Sequence, residues 1–557
     1  VSQNNKSSKK AKHWLQISAW VFGISVFLFV GLLGFTNWIQ NKVERMVAQQ
    51  SDGVYDLKLY GLEISPFIGS MSVDSISLVP DYERWEMLQK QGNETARMLL
   101  DLQTGEVAVR GLDMISVLFG KKVDLDALIL EKPKLLMTVM RRDTTAQHKP
   151  MHERASDMLK NLHIGKIDLN KAQLRYREQP KSDAYIFSVA ELMLSVDDFK
   201  LDSQSFHAQD RAYYARRMKL KTGKASYLLP DGLYKASADS IMIDTKQQIL
   251  LAKQVALTPI ATIAQMAKAK GKATTRTTLN IPLIRFDGLS YTAHSQNNNF
   301  IAQKLLLQDL TMEAFKDKQH YKDKGTKQLI HEMAQSVKTP FRVEKLELKN
   351  GYIRYSELVP KAIERGHITF NFLQVSGSNI SNMPKYMTLK TPAVIHASTK
   401  VMGKAPLQFT LRMPLLSNNG YHRIEGHIGE TDPAILNPIL SPTAFVRIES
   451  GHISRGDFDI KLTKDNATGE MKIIYSNLDV ELLNKGSGGK QGLGKEIISE
   501  IADWVAIKDS NPKDGKDPRI GDITVNRNTQ TSAFSYWKDC LASGFLSSMG
   551  LKQVAKK

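Results

Sequence analysis

The sequence predicts a mainly β protein: one long, irregular antiparallel sheet behind a single N-terminal transmembrane helix, with a few short peripheral helices. Three observations carry this. First, one alternating pattern recurs along the chain, as His163-Ile-Gly-Lys-Ile-Asp-Leu-Asn-Lys-Ala-Gln-Leu-Arg-Tyr-Arg-Glu178 and as Val343-Glu-Lys-Leu-Glu-Leu-Lys-Asn-Gly-Tyr-Ile-Arg-Tyr-Ser-Glu357. Second, no charged residue stands between Trp14 and Ile39. Third, 42% of the residues are hydrophobic and there is one cysteine, Cys540, so a packed core must hold the chain without an internal disulfide.

Residues 1–13 form a short basic tail, with Lys6, Lys9, Lys10 and Lys12 ahead of the apolar run. The segment 14–40 is long enough to cross a hydrocarbon core of about 30 Å. Its anchoring residues are Trp14, Trp20, Phe27, Phe29, Phe35 and Trp38, with the indoles placed near the ends as membrane interfaces favour. No small-x-small cleavage site separates the run from Asn41-Lys-Val-Glu-Arg45, so an uncleaved anchor is expected, with its basic side cytoplasmic.

A first β region spans 41–140, opened by Tyr55-Asp-Leu-Lys-Leu-Tyr60 and Met71-Ser-Val-Asp-Ser-Ile-Ser-Leu-Val79; Asp81 to Arg97 permits a helix. A middle β region, 141–340, carries helical connections over Thr262 to Ala269 and Gly325 to Val337. A C-terminal β region covers 341–485. Residues 486–557 hold a glycine linker, amphipathic helices and a terminal strand, Ile520-Gly-Asp-Ile-Thr-Val-Asn-Arg527.

In the repeated unit, apolar residues alternate with charged ones, which places one strand face on a core and the other in water. Asn-Gly or Asp-Gly then reads as a turn, so each unit is expected to be an amphipathic hairpin. Ile167, Leu169, Leu174 and Tyr176 recur in the same spacing as Leu346, Leu348, Ile353 and Tyr355, and again as Leu128, Leu130, Leu135 and Met137. The candidate apolar face is therefore Leu128, Leu130, Ile167, Leu169, Leu346 and Leu348. Near the C-terminus Trp537, Leu541 and Phe545 share a helical stripe that could dock on a membrane interface or pack on the last strands.

Catalytic motifs are near misses. Gly489-Lys-Gln-Gly-Leu-Gly-Lys-Glu496 ends in Glu496 where a phosphate loop needs Ser or Thr. His331-Glu-Met-Ala-Gln335 lacks the second histidine of a zinc helix, and Pro150 separates His148 from His152. No enzyme, cofactor or metal site is expected. The net charge of +19 is a diffuse basic excess that either serves solubility or meets anionic lipid headgroups; no nucleic-acid motif accompanies it, so nucleic acid is not an expected partner.

In chain order, the anchor is followed by Ser65-Pro-Phe-Ile-Gly-Ser-Met-Ser-Val73, Val107-Ala-Val-Arg-Gly-Leu-Asp-Met-Ile-Ser-Val-Leu-Phe-Gly120 and Leu128-Ile-Leu-Glu-Lys-Pro-Lys-Leu135. The second half carries Thr431-Asp-Pro-Ala-Ile-Leu436, Val446-Arg-Ile-Glu-Ser-Gly-His-Ile453 and Ala467-Thr-Gly-Glu-Met-Lys-Ile-Ile-Tyr-Ser-Asn-Leu478. Together these resemble the AsmA-like family of Gram-negative envelope proteins (AsmA/TamB type), with 41–140 and 341–485 as the AsmA-like regions. The resemblance implies a curved, taco-like β-groove in the periplasm on a single-pass inner-membrane anchor. It implies binding of phospholipid acyl chains and their movement toward the outer membrane, in support of envelope integrity. The alternative is an anchored scaffold or assembly factor that pairs its sheet edges with client envelope proteins.

Overall fold

The computed structural model describes residues 36–65, 69–112, 122–141, 150–155, 161–179, 184–483, 508–513 and 515–551. The protein is mainly β: 53% of the described residues are strand and 17% helix, and 26 strands form a large mixed sheet. The chain forms two compact units. Unit 1 holds residues 1–230, 236–253 and 289–298; unit 2 holds 231–235, 254–288 and 299–557. Among the described residues no helix is long and apolar enough to cross a membrane. Trp14 through Phe35, the glycine linker at 486 and the first of the amphipathic helices expected after it, whose apolar residues Ile497, Ile498, Ile501, Trp504 and Val505 recur at helical spacing, lie outside the described residues.

In unit 1, β1 (Tyr55–Tyr60) and β2 (Glu63–Ser65) are two halves of one bent strand, as are β3 (Ser70–Val73) and β4 (Ser75–Pro80). The same holds for β5 (Met98–Gln103) with β6 (Val107–Arg110), and for β7 (Lys122–Glu131) with β8 (Lys134–Val139). Then come β9 (Asn161–Glu178), β10 (Phe187–Lys200), β11 (Ala215–Lys221) and β12 (Ala225–Leu228). Next are β13 (Tyr234–Ala238), β14 (Ser240–Asp244) and β15 (Ile249–Pro259), of which β13 and β15 give residues to both units. Neighbours run antiparallel except at β9, where β7 and β8 lie parallel to it.

The bends fall side by side. Lys132, Lys171 and Glu191 each take a left-handed backbone (φ 47°, 52° and 49°) and interrupt their strands at neighbouring positions. Backbone bonds stitch the row together: Gly105 N–H to Glu131 O (2.8 Å), Lys132 N–H to Asn170 O (2.7 Å) and Gly223 N–H to Ala190 O (2.9 Å). Gly105 sits tightly against the neighbouring strand, since a Cβ there would lie 3.0 Å from the Glu131 carbonyl. An extra residue bends its strand and deepens its twist, so a row of them creases the sheet.

The repeated unit is thus not a hairpin. β9 runs unbroken for 18 residues through its bulge. Its earlier copy, β7–β8, lies beside it in parallel, with Leu128 opposite Ile167, Leu130 opposite Leu169, and Leu135 and Met137 opposite Leu174 and Tyr176. Because both copies break at the same place, the ladder absorbs the extra residue and no turn forms. Parallel neighbours need a crossover, which corrects the expectation of a purely antiparallel sheet.

Helix α1 (Thr36–Gln50) closes the first edge of unit 1. Val43 and Val47 are buried in a core with Val54, Leu57 and Leu59. Gln40 donates to the Leu59 carbonyl (2.6 Å) and Glu44 accepts from the Leu59 N–H (2.9 Å), so α1 occupies the outer backbone groups of Leu59 in β1. Helix α2 (Tyr82–Lys90), capped by Asp81, buries Trp85 in the same core.

Unit 2 repeats the plan. β16 (Thr275–Asp287) runs antiparallel to β17 (Phe300–Gln308) and β18 (Thr311–Asp317), which both lie parallel to β19 (Phe341–Leu358). Asp309, Asn350 and Phe372 carry the left-handed bulges here (φ 54°, 56° and 54°), so the Asn350-Gly351 pair is a bulge inside β19. An antiparallel meander follows: β20 (Gly366–Ser381), β21 (Ala393–Val401), β22 (Ala405–Met413), β23 (His422–Ile428), β24 (Val446–Leu462), β25 (Asn466–Leu482) and β26 (Ile520–Asn526). Helices α3 (Ile263–Lys270) and α4 (Ile330–Ser336) sit in the long connections. Helix α5 (Ala533–Ser548) packs on β24–β26, and Ser543 and Ser547 accept from the Thr524 and Asp522 N–H groups of β26 (3.2 and 2.9 Å).

Candidate functional site: an apolar rib in each unit

Residues directly opposite one another in neighbouring strands share a face, so the register gives the composition of that face. In unit 1 the row runs Val73, Val107, Leu130, Leu169, Leu194, Leu220, Ile243, Leu250. A second row beside it runs Met71, Val109, Leu128, Ile167, Val196, Met218. Every member is apolar. The β3 and β6 residues are buried, and Met71, Val73 and Val109 share a core with Val43 and Val47 of α1, Val73 being only 1% exposed. From β7 to β15 nearly all are half-buried, including Leu128, Leu130, Ile167 and Leu169.

Unit 2 shows the same gradient in the other direction. Its rows begin half-buried at Ile284–Leu307 and Phe286–Leu305, then continue through Leu348–Val375 and Leu346–Gly377 to Phe409 and Ile395. Beyond β22 they are buried: Ile424, Phe458, Ile460, Met471 and Ile523 lie in one core with α4 and α5. Leu128, Leu130, Ile167 and Leu169 therefore meet as direct neighbours in unit 1, whereas Leu346 and Leu348 belong to unit 2.

The opposite face is polar. Lys166 pairs with Asp168 (2.9 Å) and Lys304 with Glu347 (2.8 Å). Lys304 holds the Glu347 carboxyl below the usual range. A shallow concavity of about 610 Å³ in unit 2 is lined by Glu347, Ser376, His396, Thr410 and Glu425, consecutive cross-strand neighbours, with Leu348 and Phe409. At the far end of β19 the rib turns polar: Glu357 is buried with Lys318 (2.7 Å) and accepts from Tyr355 (2.8 Å). Burial favours the neutral acid, but Lys318 and the Tyr355 hydroxyl hold the Glu357 carboxyl below its usual range.

Trp38 lies on α1, half-exposed, with the Lys42 ammonium 4.6 Å from the ring centre. The other anchor residues, Trp14, Trp20, Phe27, Phe29 and Phe35, fall outside the described residues. Trp537, Leu541 and Phe545 are half-buried against the unit 2 core. The stripe that meets the sheet most closely is one position away: Ala533, Tyr536, Cys540, Gly544 and Ser548 are buried. Small side chains let the helix approach; a Cβ on Gly544 would stand 2.7 Å from Ile523, and one on Gly521 would collide with the Gly544 carbonyl. Hydropathy favours large residues, so it pointed to the flank of this stripe. The strand bulges and the edge caps Gln40, Glu44, Ser543 and Ser547 had no hydrophobic signal to betray them.

Among the described residues no three His, Cys, Asp or Glu side chains stand close enough to hold a metal ion. No protein-family model matches the chain, and no curated protein matches it.

Proposed function

We propose that this chain is a lipid-handling β-groove of the AsmA-like kind, anchored in a bacterial inner membrane with its β units in the periplasm. It binds phospholipid acyl chains on the apolar rib and passes them toward the outer membrane without catalysing a reaction. The observation that carries this reading is the half-buried rib of unit 1: an unbroken row of Leu and Ile side chains from Leu130 to Leu250, crossing strand after strand and left incompletely covered, with a more broken and more buried counterpart in unit 2. Half-covered apolar surface of this extent suits an apolar guest. An acyl chain leaving a bilayer loses about 0.8 kcal/mol for each methylene that meets water. A strip of leucines removes that penalty at any point along its length.

The edge caps support a groove over a strand-adding scaffold. Client strands pair with free N–H and C=O groups. At β1 the Leu59 groups are occupied by Gln40 and Glu44, and at β26 the outer N–H groups of Asp522 and Thr524 are occupied by Ser547 and Ser543.

The test is lipid retention by the full-length chain. Native mass spectrometry after gentle detergent extraction should find phospholipid bound to the wild type. Leu169→Glu and Leu307→Glu place a carboxylate on the half-buried rib of each unit, where it would face the acyl chain. Each should lose bound lipid while keeping its circular dichroism spectrum. A wild type free of lipid, or variants that retain as much as the wild type, would overturn the proposal.

A further inference from the structure

The connection from β18 to α4 is rich in lysine. Between residues 316 and 327 stand Lys316, Lys318, Lys322, Lys324 and Lys327, against two acids, Asp317 and Asp323. The end of α3 brings Lys268, Lys270 and Lys272 beside it, all within unit 2. The Ala273 N–H donates to the Lys322 carbonyl (2.8 Å), and a Cβ on Gly325 would lie 3.9 Å from the Lys272 ammonium.

The acids nearby are already engaged. Asp323 takes Lys316 on both oxygens (2.6 and 2.7 Å), Glu357 takes Lys318, and Asp231 takes Lys270 (3.0 Å). Asp317 accepts from His320 and from the backbone N–H groups of Gln319 and His320. Lys327 reaches Asp323 only at 3.9 Å although its side chain is largely covered. Lys272, Lys322 and Lys324 make no ion pair among the described residues. Burial, with Lys316 and Lys272 close by, pushes the Lys327 ammonium below its ordinary pKa. Lys272 and Lys327 thus stand close together, and the exposed Lys322 and Lys324 flank them on a loop whose carboxylates are spent. Like charges held together repel one another until an anion enters between them.

We propose that Lys272, Lys322, Lys324 and Lys327 form a binding site for a phosphate-bearing anion, either free phosphate or a phospholipid headgroup. A phosphate group presents several acceptor oxygens and can take several ammonium donors at once, where a lone carboxylate offers two oxygens. The site does not depend on the rib's binding acyl chains.

Isothermal titration of the full-length chain in neutral detergent tests the site with two probes, inorganic pyrophosphate and dihexanoyl phosphatidylglycerol. Lys324→Gln combined with Lys327→Gln should weaken binding about tenfold or more, since a charge-assisted hydrogen bond is worth about 1.5 kcal/mol or more. Asp323→Asn removes the competing carboxylate and should tighten binding, a direction that misfolding cannot mimic. Lysine-dependent binding of pyrophosphate identifies free phosphate as a ligand. Lysine-dependent binding of the short-chain lipid alone identifies the headgroup as the source. The proposal fails if neither probe binds, or if binding survives the double substitution. Leu307→Glu should leave pyrophosphate binding intact, so failure of the acyl-chain reading would show separately.

Discussion

Acidification should weaken the docking of α5 through one histidine. His422 is 1% exposed. Its Nδ1–H donates to the Gly420 carbonyl (2.8 Å), and its Nε2 accepts from the Trp537 indole N–H (3.0 Å). The imidazole is therefore neutral, and a second proton would displace the Trp537 bond and leave a buried charge beside His331. Burial pushes the His422 pKa from 6.5 down to about 4. As pH falls through about 6.5 the unfolded chain takes up a proton that the folded chain refuses, so stability falls until the folded histidine titrates near 4. The full shift corresponds to about 3 kcal/mol, of which about 2.5 kcal/mol is lost by about pH 4.5. Urea unfolding followed by tryptophan fluorescence, at about pH 7.5 and about pH 4.5, measures it. His422→Gln keeps a donor for Gly420 and an acceptor for Trp537 but cannot charge. His331 is common to both proteins, so the difference between wild type and variant isolates His422. Equal acid losses in the two proteins, or a wild type that gains stability on acidification, would refute the reasoning.

Three further outcomes follow from the packing. Gly521→Ala should lower the stability of unit 2 by about 2 kcal/mol or more, because the new methyl collides with the Gly544 carbonyl and Ser548; an unchanged melting temperature would contradict the close helix approach. Ser543→Ala with Ser547→Ala strips two β26 N–H groups of their acceptors, at about 1 kcal/mol each, and should produce concentration-dependent association in sedimentation runs. Asp244→Asn should cost about 2 kcal/mol at neutral pH. Burial opposes the Asp244 charge, but the two-pronged Arg217 contact (3.2 and 2.6 Å) and the Lys246 and Gln247 N–H groups hold its pKa down. That contribution is present above the unfolded carboxyl pKa and is lost as pH falls through the folded one, so chemical unfolding of the variant should show a shallower acid limb.

Alternation of apolar and charged residues reports which way a side chain points, and it does so whatever the neighbouring strand is doing. Leu128, Ile167 and their fellow residues were legible for that reason: the period alone places them on one face. Strand direction is not encoded in that period. A repeated unit pairs with its copy equally well in parallel or antiparallel as far as alternation goes, and only the long connection between copies decides. Asn350-Gly351 illustrates the limit. A left-handed residue turns a chain when the strand ends there, but bends it when the neighbouring strand carries a matching break, as Asp309 does beside Asn350 (2.7 Å from the Asn350 amide to the Asp309 carboxylate). The same pair recurs in unit 1, where the Asn170 amide donates to Glu131 (2.6 Å) next to Lys132 and Lys171.

The caps occupy outer backbone groups on the first and last strands while apolar side chains between them stay half-covered. A sheet of this size normally exposes edges that recruit further strands. Here the first strand is closed by two polar side chains of α1 and the last by two serines of α5, and each helix also buries the adjoining end of its unit's rib. The incompletely covered leucines lie between β7 and β15 in unit 1 and, apart from the buried Leu348 and Leu411, between β16 and β22 in unit 2, on strands whose backbone groups are paired with neighbours. What these stretches offer a partner is therefore side chain, not backbone. A guest that needs hydrogen bonds gains little from them. A hydrocarbon chain would gain along its whole length, which is what the proposed acyl-chain binding asks of these strands.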